Sequence, residues 1–483
     1  MMKKLLLGVL AGTLMAGCQT PILSPERDAE IQPLGIKGHH GVLRLRMDWP
    51  ATPPIRTQYV PRSSMRAEFS VAAESGEVLA ARTITRTGSA DMSASLELAP
   101  GTGYTVSVGI YDGNDVLLAS GISASFSIER QKIATIGLTA LPILSTIAGT
   151  GATAYSGDEV PAVSTGLFLP LGLAIAPNGD LLIADSSNHA VRRMNAGGAI
   201  STITGTGSGT QSNLSDLGDD GPAVSATLKT PNALAFSPAG DLFIADTMNK
   251  RVRILPAEDG ARYGMTLTAG RLHTLYLSAH KAPYLVGVAS DRAGNVFVGE
   301  GDRLMMLTPG GEKSLVAGIP GTLGAGSDGL ALESSLKMPE GLIVDAVGNL
   351  LFAERSNHRV RMLCRQAGTN FGIAMASGSV YTLAGEGNAT SASVPLGDGG
   401  DALEASFASP RGLALDADGN LFVADAGNGL IRRMTPDRVI ATFELGGSSA
   451  LELPLKTPVG LVIHEGRLLV GDSGNHRIRS LPL

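Results

Sequence analysis

The sequence predicts an all-β chain: a β-sandwich-like N-terminal domain, then a six-bladed β-propeller closed by a strand that precedes the first blade. Three observations carry this reading. A strand–turn–strand block recurs six times in register over the last two-thirds of the chain. Successive copies lie 48 to 71 residues apart, the size of a blade of strands rather than of a coiled coil or a helical array. The sixth copy stops one strand short, and a strand of matching sequence stands alone in front of the first.

Composition agrees with many short strands joined by tight turns. Of 483 residues, 62 are Gly and only 4% are aromatic, while 43% are hydrophobic, enough to fill several cores. The formal net charge is −6 and no run of Lys and Arg occurs, so neither a broad nor a local footprint for nucleic acid exists. No nucleic-acid partner is expected.

Residues 1–17 read as a targeting segment. Lys3 and Lys4 precede an apolar stretch, Leu5 to Met15, that is too short to span a bilayer. It ends in Leu14-Met15-Ala16-Gly17-Cys18, which resembles a bacterial lipobox. The resemblance implies cleavage before Cys18 and lipidation of its thiol. Gln19 follows instead of Asp, which resembles outer-membrane sorting. The expected location is therefore the bacterial cell envelope, at the outer membrane, held by a lipid anchor only. Cys364, the other cysteine, is then unpaired. Residues 18–36, with Pro21, Pro25 and Pro33, read as the lipidated Cys and its tether.

Residues 37–140 form the sandwich-like domain. Val42 to Met47, Ala67 to Val71, Tyr104 to Ile110 and Ile133 to Leu138 alternate or are β-branched, and Pro-Gly, Asp-Gly and Ser-Gly turns separate them. About seven short strands are expected. Trp49 reads as packing, and no site chemistry is visible.

Residues 141–483 carry the repeat. The copies open at Gly172, Ala233, Gly287, Gly341, Gly412 and Gly460, and the first reads GLAIAPNGDLLIADSSNHAVRRM. Each is an apolar strand, a tight turn, a second apolar strand ending in an acid, and a basic strand. A fourth strand is expected at Ile200–Ile203, Thr266–Thr268, Ser314–Val316, Tyr381–Leu383 and Ile440–Thr442. The sixth copy lacks one, and Leu144–Ala148 supplies it: Thr146-Ile147-Ala148-Gly149 ends like Thr382-Leu383-Ala384-Gly385. Pairing the two ends removes free sheet edges. Before the blocks, Ala162, Ala223, Ala331, Ala402 and Ala450 lie eight residues ahead of Pro170, Pro231, Pro339, Pro410 and Pro458. Leu167, Leu228, Leu336, Phe407 and Leu455 lie three ahead. Fixed offsets imply folded inter-blade loops with buried anchors. Blade 3 departs, with Leu285 in place of the Pro.

These blocks resemble NHL repeats, in the run Asp472-Ser473-Gly474-Asn475-His476-Arg477-Ile478-Arg479 and its counterparts, and in the strand and turn before it. The resemblance covers residues 141–483. It implies a propeller with six blades and a role in binding protein or nucleic acid. Related six-bladed propellers include enzymes, the streptogramin lyases and calcium-dependent lactonases.

Each conspicuous polar residue has a scaffold reading. Asp185, Asp246, Glu300, Glu354, Asp425 and Asp472 end a strand before a tight turn, where an acid accepts backbone N–H bonds. His189, His358 and His476 share one slot on separate blades, so they do not converge on one ion. The loop acids suit a metal better: Asp158, Asp219 and Asp398 share one slot, and Glu159, Asp220 and Asp328 the next. Asp158, Asp219, Asp220, Asp328 and Asp398 are the candidate ligands, and Ca²⁺ is the only cofactor they suggest.

The six positions ahead of each opening residue, Leu171, Asn232, Val286, Glu340, Arg411 and Val459, break the pattern the repeat otherwise keeps. Chain direction places them at an exposed channel mouth, and they are the candidate ligand-binding residues. Glu340 and Arg411, on adjacent blades, are expected to pair there weakly. His464 lies toward the other end of its strand. No nucleophile, base and metal gather on one face, so no catalytic residue is nominated. The expectation is a monomeric binding or scaffold module for an envelope protein, peptide or glycan; the alternative is a metal-assisted enzyme of the lyase or lactonase type.

Overall fold

The computed structural model describes residues 144–483 apart from 156, 208–216, 279–284, 388–395 and 444–453, together with the backbone of strands between residues 41 and 142. The leader 1–17, Cys18, the tether up to residue 36, Trp49 and Ala450 lie outside the described residues.

Among the described residues the N-terminal unit contains two sheets. In one, Gly41–Met47 lies between Met92–Leu98, antiparallel to it, and Ile133–Gly137, parallel to it. The other runs Val78–Thr85, Arg66–Ala72, Gly101–Tyr111, Leu117–Ile122, Leu141–Pro142, and Phe126–Ile128 also pairs with Gly101–Tyr111.

The second unit is the propeller. Its six innermost strands are Pro170–Ile175, Pro231–Phe236, Leu285–Ser290, Pro339–Val344, Pro410–Leu415 and Pro458–His464. Each packs against two others, and the first packs against the last, so the ring is closed. The second strand of blades 1 to 5 is buried at every residue, as in Leu181–Asp185 and Leu421–Asp425. A strand covered on both faces by neighbouring blades reads as a continuous apolar run, which is why these segments do not alternate. The loop anchors Leu167, Leu228, Leu336 and Phe407 are all fully buried.

Closure follows the expected route. Ser145–Ala148 pairs antiparallel with Arg477–Pro482, with Ser145 opposite Ser480 and Thr146 opposite Arg479. The glycine that ends the strand explains why the front segment matches the blade pattern. Gly149 has φ +90°, and a Cβ there would sit 2.4 Å from the His476 carbonyl oxygen. Gly205 ends the fourth strand of blade 1 with φ +94° and the same 2.4 Å approach to the carbonyl of His189, the equivalent residue. Only glycine fits either place.

Blade 2 corrects one expected strand. Thr266 and Leu267 belong to an added hairpin, Gly260–Arg262 with Met265–Leu267, and the fourth strand is Arg271–Leu277, paired with Arg251–Leu255. Tyr263 and Gly264 both have positive φ, +57° and +74°, as a two-residue hairpin turn requires. Blade 4 carries the same addition at Phe371 and Gly372, between Gly368–Asn370 and Ile373–Met375.

Candidate functional site

The acid that ends each second strand is tied to the incoming loop rather than only to its own turn. Asp185 accepts the Phe168 backbone N–H at 2.7 Å and the Asn188 amide at 2.9 Å. Asp246, Glu354, Asp425 and Asp472 repeat both bonds, to Lys229 and Asn249, Lys337 and Asn357, Ala408 and Asn428, Lys456 and Asn475. In each case the N–H donor lies two residues before the Pro that opens the blade, so the acid fixes where the inner strand begins.

Behind each acid stands an arginine that the sequence reading passed over. Arg192, Arg253, Arg361, Arg432 and Arg479 sit on the third strands and are completely buried. They reach the acids at 3.6, 3.4, 3.6, 3.9 and 3.8 Å. The first four also reach a loop acid: Asp158 at 3.2, Asp219 at 2.6, Asp328 at 3.1 and Asp398 at 2.5 Å. The guanidinium thus clamps strand and loop together. The signal was available, since each Arg lies seven residues after its acid. In blade 3 the turn is shorter and Met305, opposite Val298 as Arg192 is opposite Ile183, takes the arginine's place; its Glu300 is held by the hydroxyls of Tyr276, at 2.8 Å, and Ser278.

This geometry shifts the loop-acid register by one residue in blade 4. By spacing, Asp328 shares a slot with Asp220. In the structure it takes the place of Asp158, binding both Arg361 and Thr382 as Asp158 binds Arg192 and Thr202. Asp220 instead meets His273 at 2.5 Å. The five candidate metal ligands are spread over blades 1, 2, 4 and 5, each facing a cation or imidazole. Among the described residues no group of three or more His, Cys, Asp or Glu is arranged to hold a metal ion.

The motif histidines join neighbouring blades. His189, His358 and His476 have positive φ, near +50°, and their Nδ1 atoms accept the backbone N–H of Thr230, Ser409 and Leu169 on the next blade at 3.0–3.2 Å. Accepting requires neutral imidazole. Burial, then the charges of Lys229, Lys337 and Lys456 respectively, hold their pKa values below 6.5. A lowered folded pKa contributes stability that is present above about pH 6.5 and lost as pH falls through the folded values. Asp185, Asp246 and Asp425 act with the opposite sign. Burial pushes each up to about 6, against its hydrogen-bond donors and its Arg. Their contribution is present below about 3.8 and lost as pH rises through about 6. Comparing Tm between pH 7.5 and 5.5 for wild type and H189Q/H358Q/H476Q isolates the histidines. Wild type is expected to lose more on acidification, and equal slopes would count against the neutral latch.

The mouth of the ring is built from two slots: the six positions of the first strand, and the residues that follow the acids. The latter are Ser186, Thr247, Gly301, Arg355, Ala426 and Ser473. Three of these carry hydroxyls, which donate to carbonyls of the next inner strand: Ser186 to Pro231, Thr247 to Leu285 at 2.7 Å, and Ser473 to Pro170. The inner strands approach closely here, and a Cβ on Gly460 would lie 2.1 Å from the Leu171 carbonyl. Leu171, Asn232, Val286, Glu340 and Val459 all line the central cavity, about 320 Å³ in volume, whose walls are otherwise mostly apolar.

The mouth is not an exposed rim, contrary to the expectation from sequence. Val286 and Val459 are each 5% exposed and Glu340 only 3%. Glu340 stands between two guanidiniums, Arg411 at 3.6 Å and Arg355 at 3.9 Å. Both distances exceed hydrogen-bond length, and neither Glu340 oxygen accepts a hydrogen bond among the described residues. The Asn232 Oδ1 is likewise buried without a partner. Arg355 was missed by the sequence reading, which compared the first slot between blades but not the second.

A family model described as the teneurin NHL domain matches residues 160–256 and 286–468, more than half of the chain. The chain belongs to that family. Among its relatives, teneurin-3 of Mus musculus is 26% identical over 250 residues, covering 45% of this chain and 9% of the teneurin. Teneurin-1 of Homo sapiens is 23% identical over 411 residues, covering 68% and 15%. Suppressor of quenching 1, chloroplastic, of Arabidopsis thaliana is 26% identical over 301 residues, covering 58% and 26%. The chain thus spans a small part of the relatives it matches. Among solved structures, an auxiliary nutrient binding protein from Bacteroides thetaiotaomicron aligns with TM-score 0.49 at 15% identity, covering 86% of this chain and 90% of that one. Virginiamycin B lyase from Staphylococcus aureus aligns with TM-score 0.43 at 13% identity, covering 70% and 99%.

In this NHL propeller the Asp, Asn and His of the repeat are bound up in holding blades together. Cys364 is buried and free, and its thiol meets the Gln366 carbonyl at 3.1 Å. His464, at the far end of its strand, is 3.9 Å from Glu465 and takes no part in the mouth.

Proposed function

We propose that this protein is a lipid-anchored component of the bacterial cell envelope whose NHL propeller is a binding or scaffold module, holding an envelope protein, peptide or glycan at the channel mouth. One observation carries the reading. The scaffold acids of blades 1, 2, 4, 5 and 6 are bound to backbone, amide and guanidinium, whereas three of the four buried side-chain oxygens without a hydrogen-bond partner among the described residues, both of Glu340 and the Asn232 Oδ1, lie at the mouth; the fourth is the Thr165 hydroxyl, and the other unpartnered buried atoms are guanidinium nitrogens. A fold tolerates such groups at a site whose partner comes from a ligand. The variation of the mouth slot, in a chain whose other slots repeat, supports the same reading.

The test is affinity capture from native envelopes with the tagged full-length protein, wild type beside N232A/E340A/R411A. Melting curves of both verify that the variant folds. The variant is expected to lose the wild-type partner altogether; capture that persists undiminished would sink the proposal.

A further inference from the structure

We infer that Arg355 and Arg411 form an oxyanion-binding site at the channel mouth, taking the carboxylate or phosphate group of an organic anion. This rests on the channel mouth being the binding site, and names the chemistry it selects.

Twelve residues occupy the two slots that ring the mouth, and only Glu340, Arg355 and Arg411 among them are charged. The local balance is thus one positive charge, in a chain whose formal net charge is −6. Arg355 follows the acid of blade 4, and Arg411 is the second residue of the inner strand of blade 5, Pro410–Leu415. The closure of the ring brings them to opposite oxygens of one carboxylate, Glu340 Oε2 and Oε1 respectively. The two guanidiniums feel each other: burial, then the Arg411 charge, holds the Arg355 pKa below its usual value, against the pull of Glu340.

Their hydrogen-bonding capacity is what distinguishes them. The clamp arginines are packed into the blades, and those of blades 1, 2, 4 and 5 donate to a carboxylate within hydrogen-bond distance. At the mouth, Glu340 is the one anion in reach of Arg355 and Arg411 among the described residues, and it stays beyond hydrogen-bond distance. Neither guanidinium donates to a protein acceptor among the described residues, and their side chains are 38% and 17% exposed. Two planar forks of N–H donors with no acceptor, beside the Glu340 carboxylate that lines the cavity of about 320 Å³, suit a planar or tetrahedral oxyanion. A second anion here would alternate charges with Glu340 and relieve the repulsion between the guanidiniums. Glu340 is a positioning residue: it holds both forks at one point and offsets one of the two charges.

Isothermal titration of the purified protein with succinate, and separately with inorganic phosphate, tests the site. Saturable binding of at least one probe is expected, weakening with added salt. The probe bound more tightly identifies the group as carboxylate or phosphate. R355Q and R411Q are each expected to weaken binding about tenfold, since each removes charge-assisted hydrogen bonds. E340Q, which keeps the shape and removes the competing charge, is expected to bind more tightly than wild type, a gain no merely structural role for Glu340 would produce. If R355Q/R411Q melts early, R355A alone serves, because Arg355 is the more exposed and donates no hydrogen bond. The inference is overturned if neither probe binds, or if the arginine variants bind as wild type does. Loss of capture by N232A/E340A/R411A with no binding of either probe would overturn this inference and leave the binding-module reading. Probe binding with undiminished capture would do the reverse.

Discussion

Replacing Arg253 with methionine is expected to destabilise the propeller by about 3–5 kcal/mol, the cost of removing one partner from a buried ion pair. Methionine fills much of the aliphatic volume, so the loss is electrostatic rather than a cavity. The strand acid Asp246 would remain completely buried with its charge, and Asp219 would lose its 2.6 Å contact with Arg253. The backbone N–H of Lys229 and the amide of Asn249 would still reach Asp246, which is why collapse is not expected to be complete. Adding D246N should recover part of the loss, because it removes the uncompensated charge while keeping an acceptor for the loop. Urea unfolding of R253M, D246N and the double variant measures the coupling. Additive losses would show that the pair does not act as a unit. Blade 3 is the natural control: Met305 stands in the arginine slot, and hydroxyls of Tyr276 and Ser278 hold the acid.

Removal of the residues from Arg477 onward is expected to abolish cooperative unfolding of the propeller. Among the described residues Ser145–Ala148 pairs with Arg477–Pro482 alone, so truncation strands the front segment and leaves the third position of blade 6 empty. It also removes Arg479 from beneath Asp472, 3.8 Å away, and exposes the sheet edge that closure hides. Circular dichroism melting would show a broad transition at lower temperature, or aggregation. The converse is a disulfide between positions 145 and 480, which face each other across this junction. In S145C/S480C the oxidised form should melt above its reduced form, since it closes a very long loop; about 2–4 kcal/mol is typical. A truncated chain that melts like the intact one would refute the closure.

The scaffold was legible because it repeats. Gly149 could be matched to Gly205 and Gly385 because each position has the same need, a positive φ against a carbonyl that leaves no room for a side chain. Asp, Asn and His could be set aside as scaffold for the same reason. The buried arginines repeat as faithfully, yet a basic residue in a strand ordinarily reads as solvent-facing. Nothing local says that two carboxylates from different segments will meet it. The added hairpins at Tyr263-Gly264 and Phe371-Gly372 were hidden for a related cause: an aromatic at positive φ is not a usual turn signal.

By itself, the sequence determined the number of blades, the strand that closes them and the places where the repeat breaks, because periodicity is a property of the chain alone. The tertiary structure alone decided what those breaks mean. Glu340 and Arg411 are 71 residues apart, and Arg355 lies between them in a slot of different type. Only the curvature of the closed ring brings one buried carboxylate and two guanidiniums to a single point of the mouth. Whether a charge there is exposed and inert, or buried and lacking a hydrogen bond, depends on how closely six inner strands approach one another, which no single repeat records.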